Sequence, residues 1–367
     1  MMRIVIVGGG ISAVYLANTI MEKAPSSDVV IVSDEAHPPY DRIHLCALVD
    51  KSQCVESIVL ELHPKVRLEL NQTITHIDPS LNRIFSAHAS FAYDKLIIAT
   101  GSKPKTLFDI DGIRNACTFR SEKDSEKIAA GIVGKNVVIV GVGPIGLELL
   151  DTLMHSPLPK SITLLARKEY LYSSDLSREA VALLQAIFQS DPRIRLWFND
   201  EIVDKHIDSG YISQIQTRHG VIDDPFLIFG VGIDPRIDFA RESLECDRGI
   251  LVDTSMRTSN SDIYCVGEAA QLRESGFIAG RVKECTLQAD VAVSTMLGIE
   301  SKHFKQSVSI DGLKVGSFLF ADVTSPDYDP KDEENETIII AHDKRIDQYI
   351  VNGDRLKRFI GINTNAD

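Results

Sequence analysis

The six cysteines of this 367-residue chain, Cys46, Cys54, Cys117, Cys246, Cys265 and Cys285, include no C-x-x-C pair and no metal-type spacing. A cysteine-built metal centre is therefore not expected, and no metal is assigned. The chain also lacks any apolar run approaching the roughly 18 residues of a membrane span. Nor does it carry a basic surplus: 39 Lys and Arg stand against 52 Asp and Glu, a net charge of −13. That balance argues against a general nucleic-acid binder; it suits a soluble protein facing a basic patch on a partner, or it only aids solubility. The opening MMRIVIVGGG enters a strand at once, without a basic n-region and cleavage site, so no secretory leader is expected. These lacks point to a cytoplasmic protein with reduced thiols, most of them small buried apolar residues.

What is present is the composition of a folded protein, 44% hydrophobic and 25% charged. The length suggests two or three domains. RIVIVGGGISAVYLANTI reads as a buried strand, then Gly8-Gly9-Gly10-Ile11-Ser12-Ala13, then a helix. In this G-x-G-x-x-G/A pattern Gly8 permits the tight turn and Gly10 lets the backbone approach a pyrophosphate. Ala13 allows helix and strand to pack closely. The helix N-terminus offers unpaired N–H groups and the positive end of its dipole to phosphates. A second strand, VVIV, leads into Asp34 and Glu35, and an acid there would hydrogen-bond a ribose hydroxyl.

The pattern recurs in NVVIVGVGPIGLELLDTL, with Gly141, Gly143 and Gly146. At the end of its second strand, SITLLARKEYL, no acid stands; Arg167 and Lys168 do. They suit a 2′-phosphate, or they are solvated surface. Two further buried strands, YDKLIIATGSKP and SDIYCVGEAAQL, fit neither half alone. They suggest a first nucleotide domain that is interrupted by the second and then resumes, bringing Glu268 near the first cofactor. The expected class is α/β: two Rossmann-like three-layer nucleotide-binding domains, the second inserted in the first, plus a small C-terminal α+β domain. The expected bounds are 1–113 with 244–302, 114–243, and 303–367.

The chain resembles the FAD- and NAD(P)H-dependent pyridine nucleotide oxidoreductases over about residues 1 to 300. PPYDRIHL, YDKLIIATGS, the second glycine motif, FGVGIDPR and IYCVGEA are most similar to the flavoprotein part of nitrite reductase large subunits and to rubredoxin reductases. The resemblance implies FAD on the first motif and NADH or NADPH on the second. It also implies that Arg42 approaches the FAD pyrophosphate, where a guanidinium pairs well with phosphate oxygens. Thr100 and Gly101 would border the FAD, Glu268 its ribityl chain, and Glu148 the nicotinamide side of the flavin. The implied activity is transfer of electrons from NAD(P)H through flavin to a small iron–sulfur carrier such as rubredoxin, or to a nitrite reductase subunit. A homodimer is compatible with it.

Two departures matter. Disulfide reductases of the group place C-x4-C or C-x-x-C against the flavin, and Cys46 and Cys54 match neither spacing. Single-cysteine relatives, the NADH oxidases and peroxidases and the coenzyme A disulfide reductases, leave open a redox role for Cys46; packing beside the flavin is the plainer expectation. Where rubredoxin-reductase-like enzymes often carry a lysine near the flavin, this chain has Ala47. A non-enzymatic flavin-binding subunit is the alternative of another class, and the intact GVGPIG motif argues against it. After residue 303 the chain alternates like short strands, with Asn352-Gly353 as a hairpin turn and DYDPKDEENE as a solvated loop. The iron–sulfur and sirohaem modules of nitrite reductases are not represented, so this chain alone is not expected to reduce nitrite.

Overall fold

A computed structural model describes residues 1–172, 176–315, 318–342 and 345–363. The chain divides into two compact units. The first comprises Met1–His44, Cys54–Lys103 and Ile233–Gln306; the second comprises Leu45–Gln53, Pro104–Gly232 and Ser307–Asp367. The first unit is thus interrupted by the second and resumes after it.

In the first unit, RIVIV is apolar at every residue after Arg3, as a strand buried on both faces must be. Arg3–Val7 pairs in parallel with Asp28–Val32 on one side and Lys95–Ile98 on the other. Ile263–Cys265 and Arg67–Glu69 complete a five-stranded sheet. The strand order reverses at Arg3–Val7, so a crevice opens beyond its carboxyl end, the place where open α/β sheets take ligands. Helices Ile11–Lys23 and Val282–Met296 pack on each other, and Tyr15 donates to the Asp290 carboxylate at 3.1 Å. A three-stranded antiparallel sheet adds buried Ile74, Ile77 and Ile84 to the same core, giving the third layer.

The second unit repeats this plan. Asn136–Val140 sits between Ser161–Leu165 and Pro225–Phe229, flanked by Ile194–Trp197 and Ala116–Thr118, with all neighbours parallel. Its order also reverses at the strand that precedes the glycines. An antiparallel sheet covers it through Ile212, Ile215 and Ile222, which share a core with Val138, Leu227 and Phe229.

The C-terminal strands form one antiparallel sheet, in which Phe318–Thr324 and Arg345–Asn352 flank Arg355–Asn363. Its described residues form the small C-terminal sheet domain. The hairpin turn lies one residue later than expected, at Gly353-Asp354. Asn352 still pairs with Arg355, and Gly353 supplies the left-handed φ of +55°. On the buried face, Arg358 and Asp322 form a bidentate ion pair at 2.9 and 2.6 Å. No helix among the described residues is long and apolar enough to cross a membrane.

Candidate functional site

The first glycine turn begins where Arg3–Val7 ends. Gly8 holds φ at +119°, and its N–H donates to the Val32 carbonyl at 2.8 Å. A Cβ on Gly8 would stand 2.3 Å from the Ala99 carbonyl oxygen, so only glycine lets the two strand ends approach. Gly10 is different. It caps helix Ile11–Lys23 in extended conformation, with φ −95° and ψ −178°, and an added Cβ would meet nothing within 4 Å. The space over the helix N-terminus is open, and no acidic side chain occupies the first turn. Ala13 is fully buried beneath it.

Around this turn the expected residues take definite partners. Glu35 Oε2 accepts from Arg42 Nη2 at 3.0 Å, and Tyr40 joins both, donating to Glu35 at 3.3 Å and accepting from Arg42 at 3.1 Å. The guanidinium carbon also lies 4.9 Å from the Tyr40 ring centroid. Asp34 is held by Arg236 at 2.7 Å. The Thr100 hydroxyl donates to the Arg236 carbonyl at 2.7 Å, and Gly101, with φ of +63°, accepts from the Arg236 N–H at 2.9 Å. Glu268 accepts from Ser102 Oγ at 2.7 Å, and the neighbouring Gly267 N–H donates to Gln288 Oε1 at 2.7 Å. Tyr40 and Arg236 carry no role in the sequence reading, although both lie in stretches it singles out, PPYDRIHL and FGVGIDPR. Gln288, fully buried in a helix, left no local signal.

The second turn has the same mechanics. Gly141 holds φ at +121°, and a Cβ there would stand 2.2 Å from the Gly230 carbonyl oxygen. Gly146 is closed by Gly141 O at 2.3 Å, whereas Gly143 opens onto space and caps helix Pro144–Met154 with φ −75° and ψ −178°. Both turns therefore combine a tight backbone approach with room for a pyrophosphate at a helix N-terminus, and the residues fit two dinucleotides. Beyond strand Ser161–Leu165, Arg167 and Lys168 are exposed, and Lys168 Nζ stands 4.9 Å from the Tyr170 ring centroid.

Cys46 lies on the short helix Leu45–Val49, which groups with the second unit, whereas Arg42 groups with the first. Burial pushes its thiol up to about 11; Thr152 hydrogen-bonds it, and the carboxylates of Glu148, Asp50 and Asp151 add to the rise. Burial likewise raises Glu148 above the usual carboxylate range. Such surroundings disfavour the thiolate. Cys54, which is exposed, should be alkylated first at neutral pH. Cys46 modification, followed by peptide mass spectrometry, should accelerate only as the pH climbs toward 11. Rapid labelling of Cys46 at pH 7 would contradict this environment.

Fold and paired glycine turns define an oxidoreductase built on two dinucleotide sites. The family model described as pyridine nucleotide-disulphide oxidoreductase matches residues 2–294, and the chain belongs to that family. Its cofactors are FAD and a nicotinamide dinucleotide. Among similar proteins, a Bacillus subtilis nitrite reductase [NAD(P)H] is 29% identical over 85% of this chain, which spans 40% of that protein. A Pseudomonas putida rubredoxin-NAD(+) reductase is 26% identical over 81% of this chain and 80% of its own length. A putidaredoxin reductase–putidaredoxin complex superposes with a TM-score of 0.87 at 19% identity, covering 99% of this chain and 90% of that one, a likeness of fold alone.

Proposed function

We propose that the chain is a flavoprotein reductase that takes reducing equivalents from NAD(P)H and passes them to a small iron–sulfur carrier of the rubredoxin or ferredoxin type, or to a nitrite reductase subunit. The observation that carries this reading is the pair of open helix N-termini at Gly10 and Gly143. The chemistry the bound flavin supplies is acceptance of a hydride and release of single electrons. Gly8, Gly10 and Ala13 would seat its pyrophosphate, with Arg42 facing the phosphates. Asp34 or Glu35 would take the ribose, Thr100 and Gly101 the border of the site, and Glu268 the ribityl chain. Gly141, Gly143 and Gly146 would seat the nicotinamide cofactor, with Glu148 on the nicotinamide side. The similarity to a rubredoxin-NAD(+) reductase and a nitrite reductase supports the carrier class. The test is anaerobic mixing with NADH or NADPH, then addition of oxidised carrier. Bleaching of the flavin followed by carrier reduction is expected. A Cys46→Ser variant should keep its turnover within about twofold. A collapse of turnover would instead support the single-cysteine oxidase, peroxidase or disulfide reductase. Failure of both nicotinamides to bleach the flavin would support a non-enzymatic subunit.

The preferred donor is read from Arg167 and Lys168, which stand where an acid would otherwise repel a 2′-phosphate. NADPH is expected to serve at least as well as NADH. A charge-assisted phosphate contact is worth ~1.5–3 kcal/mol, about ten- to a hundredfold in kcat/KM. Arg167→Ala should erode that preference. If NADH wins by about tenfold and the substitution changes nothing, the cations are only surface charge.

A further inference from the structure

Two polar side chains of the C-terminal sheet lie on its apolar, buried face. Asp322 and Gln348 both stand opposite Ile360, one on each side of it, and paired residues point to the same face. That face also buries Phe320, Ile346 and Ile362, and Asp322 and Gln348 are only 4% and 1% exposed. Polar groups at such depth are found paired. Each of them meets the nucleotide-binding part of the same compact unit. Gln348 Oε1 accepts from the Ser177 N–H at 2.7 Å, at the start of helix Arg178–Gln189. Asp322 Oδ2 accepts from the Tyr172 hydroxyl at 3.1 Å, beside its ion pair with Arg358. The Tyr172 ring centroid lies 4.5 Å from that of Phe320.

Tyr172 also stands out in its backbone. Its φ is +60°, a conformation that a bulky residue adopts only where its surroundings impose it. In that conformation its N–H donates to the Val142 carbonyl at 2.9 Å, inside the second glycine turn. Val142 C=O and Gly143 N–H belong to one planar trans peptide, so holding the first fixes the direction of the second. The start of the same segment is held separately: the Ala166 and Lys168 carbonyls accept from the Asp200 and Asn199 N–H groups at 2.9 and 3.2 Å. We propose that Tyr172 is a positioning residue for the nicotinamide dinucleotide. Through its hydroxyl, the C-terminal sheet holds the Val142–Gly143 peptide in the orientation that meets the pyrophosphate. This rests on the reading of the Gly143 turn as the donor site, and it gives the C-terminal sheet a part in donor binding. The pyrophosphate is common to NADH and NADPH, so Tyr172 acts on both alike. Arg167 and Lys168 would meet only a 2′-phosphate.

Titration of NAD+ and NADP+ into the full FAD-loaded chain tests the proposal, together with steady-state constants for NADH and NADPH with a dye acceptor. Tyr172→Phe keeps the ring on Phe320 and loses the hydroxyl. It should weaken both dinucleotides about five- to tenfold, raise both KM values by the same factor and leave kcat within about twofold. FAD content should equal that of the wild type. Gln348→Met cuts the other contact, which goes to the next helix at Ser177. It should lower the thermal midpoint and leave donor affinity within about twofold. Wild-type affinity for both dinucleotides in Tyr172→Phe overturns the proposal. So does a loss confined to NADP+, which would belong to Arg167 and Lys168, or an equal loss in Gln348→Met, which would be a general loosening of the sheet. Gly143→Arg tells two failures apart. If that variant still binds both dinucleotides, the turn is not the donor site and the role of Tyr172 falls with it. If it binds neither while Tyr172→Phe binds both, only the role of Tyr172 is lost.

Discussion

Gly10→Arg is expected to give a folded, colourless protein that does not take up added FAD. Gly10 adopts an extended conformation open to any residue, and its Cβ would touch nothing within 4 Å. The fold should therefore tolerate the substitution. The new side chain would fill the volume over the N-terminus of Ile11–Lys23, where the first N–H groups have no intrahelical partner. Losing two hydrogen bonds to phosphate, at ~1.5–3 kcal/mol each, weakens binding by about a hundredfold or more. The added positive charge cannot compensate, since its stem stands where the phosphates must lie. Gly8 is unsuitable for the same experiment: with φ at +119° and the Ala99 carbonyl 2.3 Å from its Cβ, any substitution strains the backbone itself. The comparison that matters is with wild-type protein stripped of FAD, by circular dichroism and thermal midpoint. A variant that matches it and stays colourless agrees with the site. A yellow Gly10→Arg protein with a full complement of FAD would place the flavin elsewhere.

What the sequence made legible was local. A strand, a glycine turn and a helix are contiguous, and each residue's part follows from backbone sterics within a few positions. Both turns were readable on that ground, as was the return of the first unit after the second. The partners were not readable. Asp34 meets Arg236 across 202 positions of sequence, and no pattern near either residue announces it. Glu35 and Arg42 are only seven apart, yet their pairing depends on how the loop between them folds around Tyr40. The passage of Leu45–Gln53 into the second unit escaped for a similar reason: LCALV reads as any short apolar helix, and only packing decides which core receives it. The setting of Cys46 is likewise a matter of packing. Spacing alone left a redox role open, whereas burial beside Glu148 and Asp151 argues against a stable thiolate.

Gly143→Arg should give the opposite phenotype to Gly10→Arg: a yellow protein that neither NADH nor NADPH reduces at an appreciable rate. The two glycines are equivalent in form, since Gly143 is also extended, caps its helix and faces open space. They belong to different compact units, each with its own parallel sheet and core. An arginine at Gly143 fills the phosphate cradle of the second unit and leaves the turn at Gly8 and Gly10 untouched. FAD content should therefore equal that of the wild type, while the rate of flavin bleaching falls by about a hundredfold or more. Chemical reduction with dithionite should still bleach the flavin fully, which separates loss of donor binding from damage to the flavin itself. Adjacent positions sharpen the inference. Gly141 and Gly146 would each drive a Cβ to within 2.3 Å of a carbonyl oxygen, so their substitution would confound folding with binding. Gly143 alone of the three tests the cradle without straining it. Reduction of the Gly143→Arg variant by NAD(P)H at the wild-type rate would mean that the second turn is a structural echo of the first, and that the donor enters by another route.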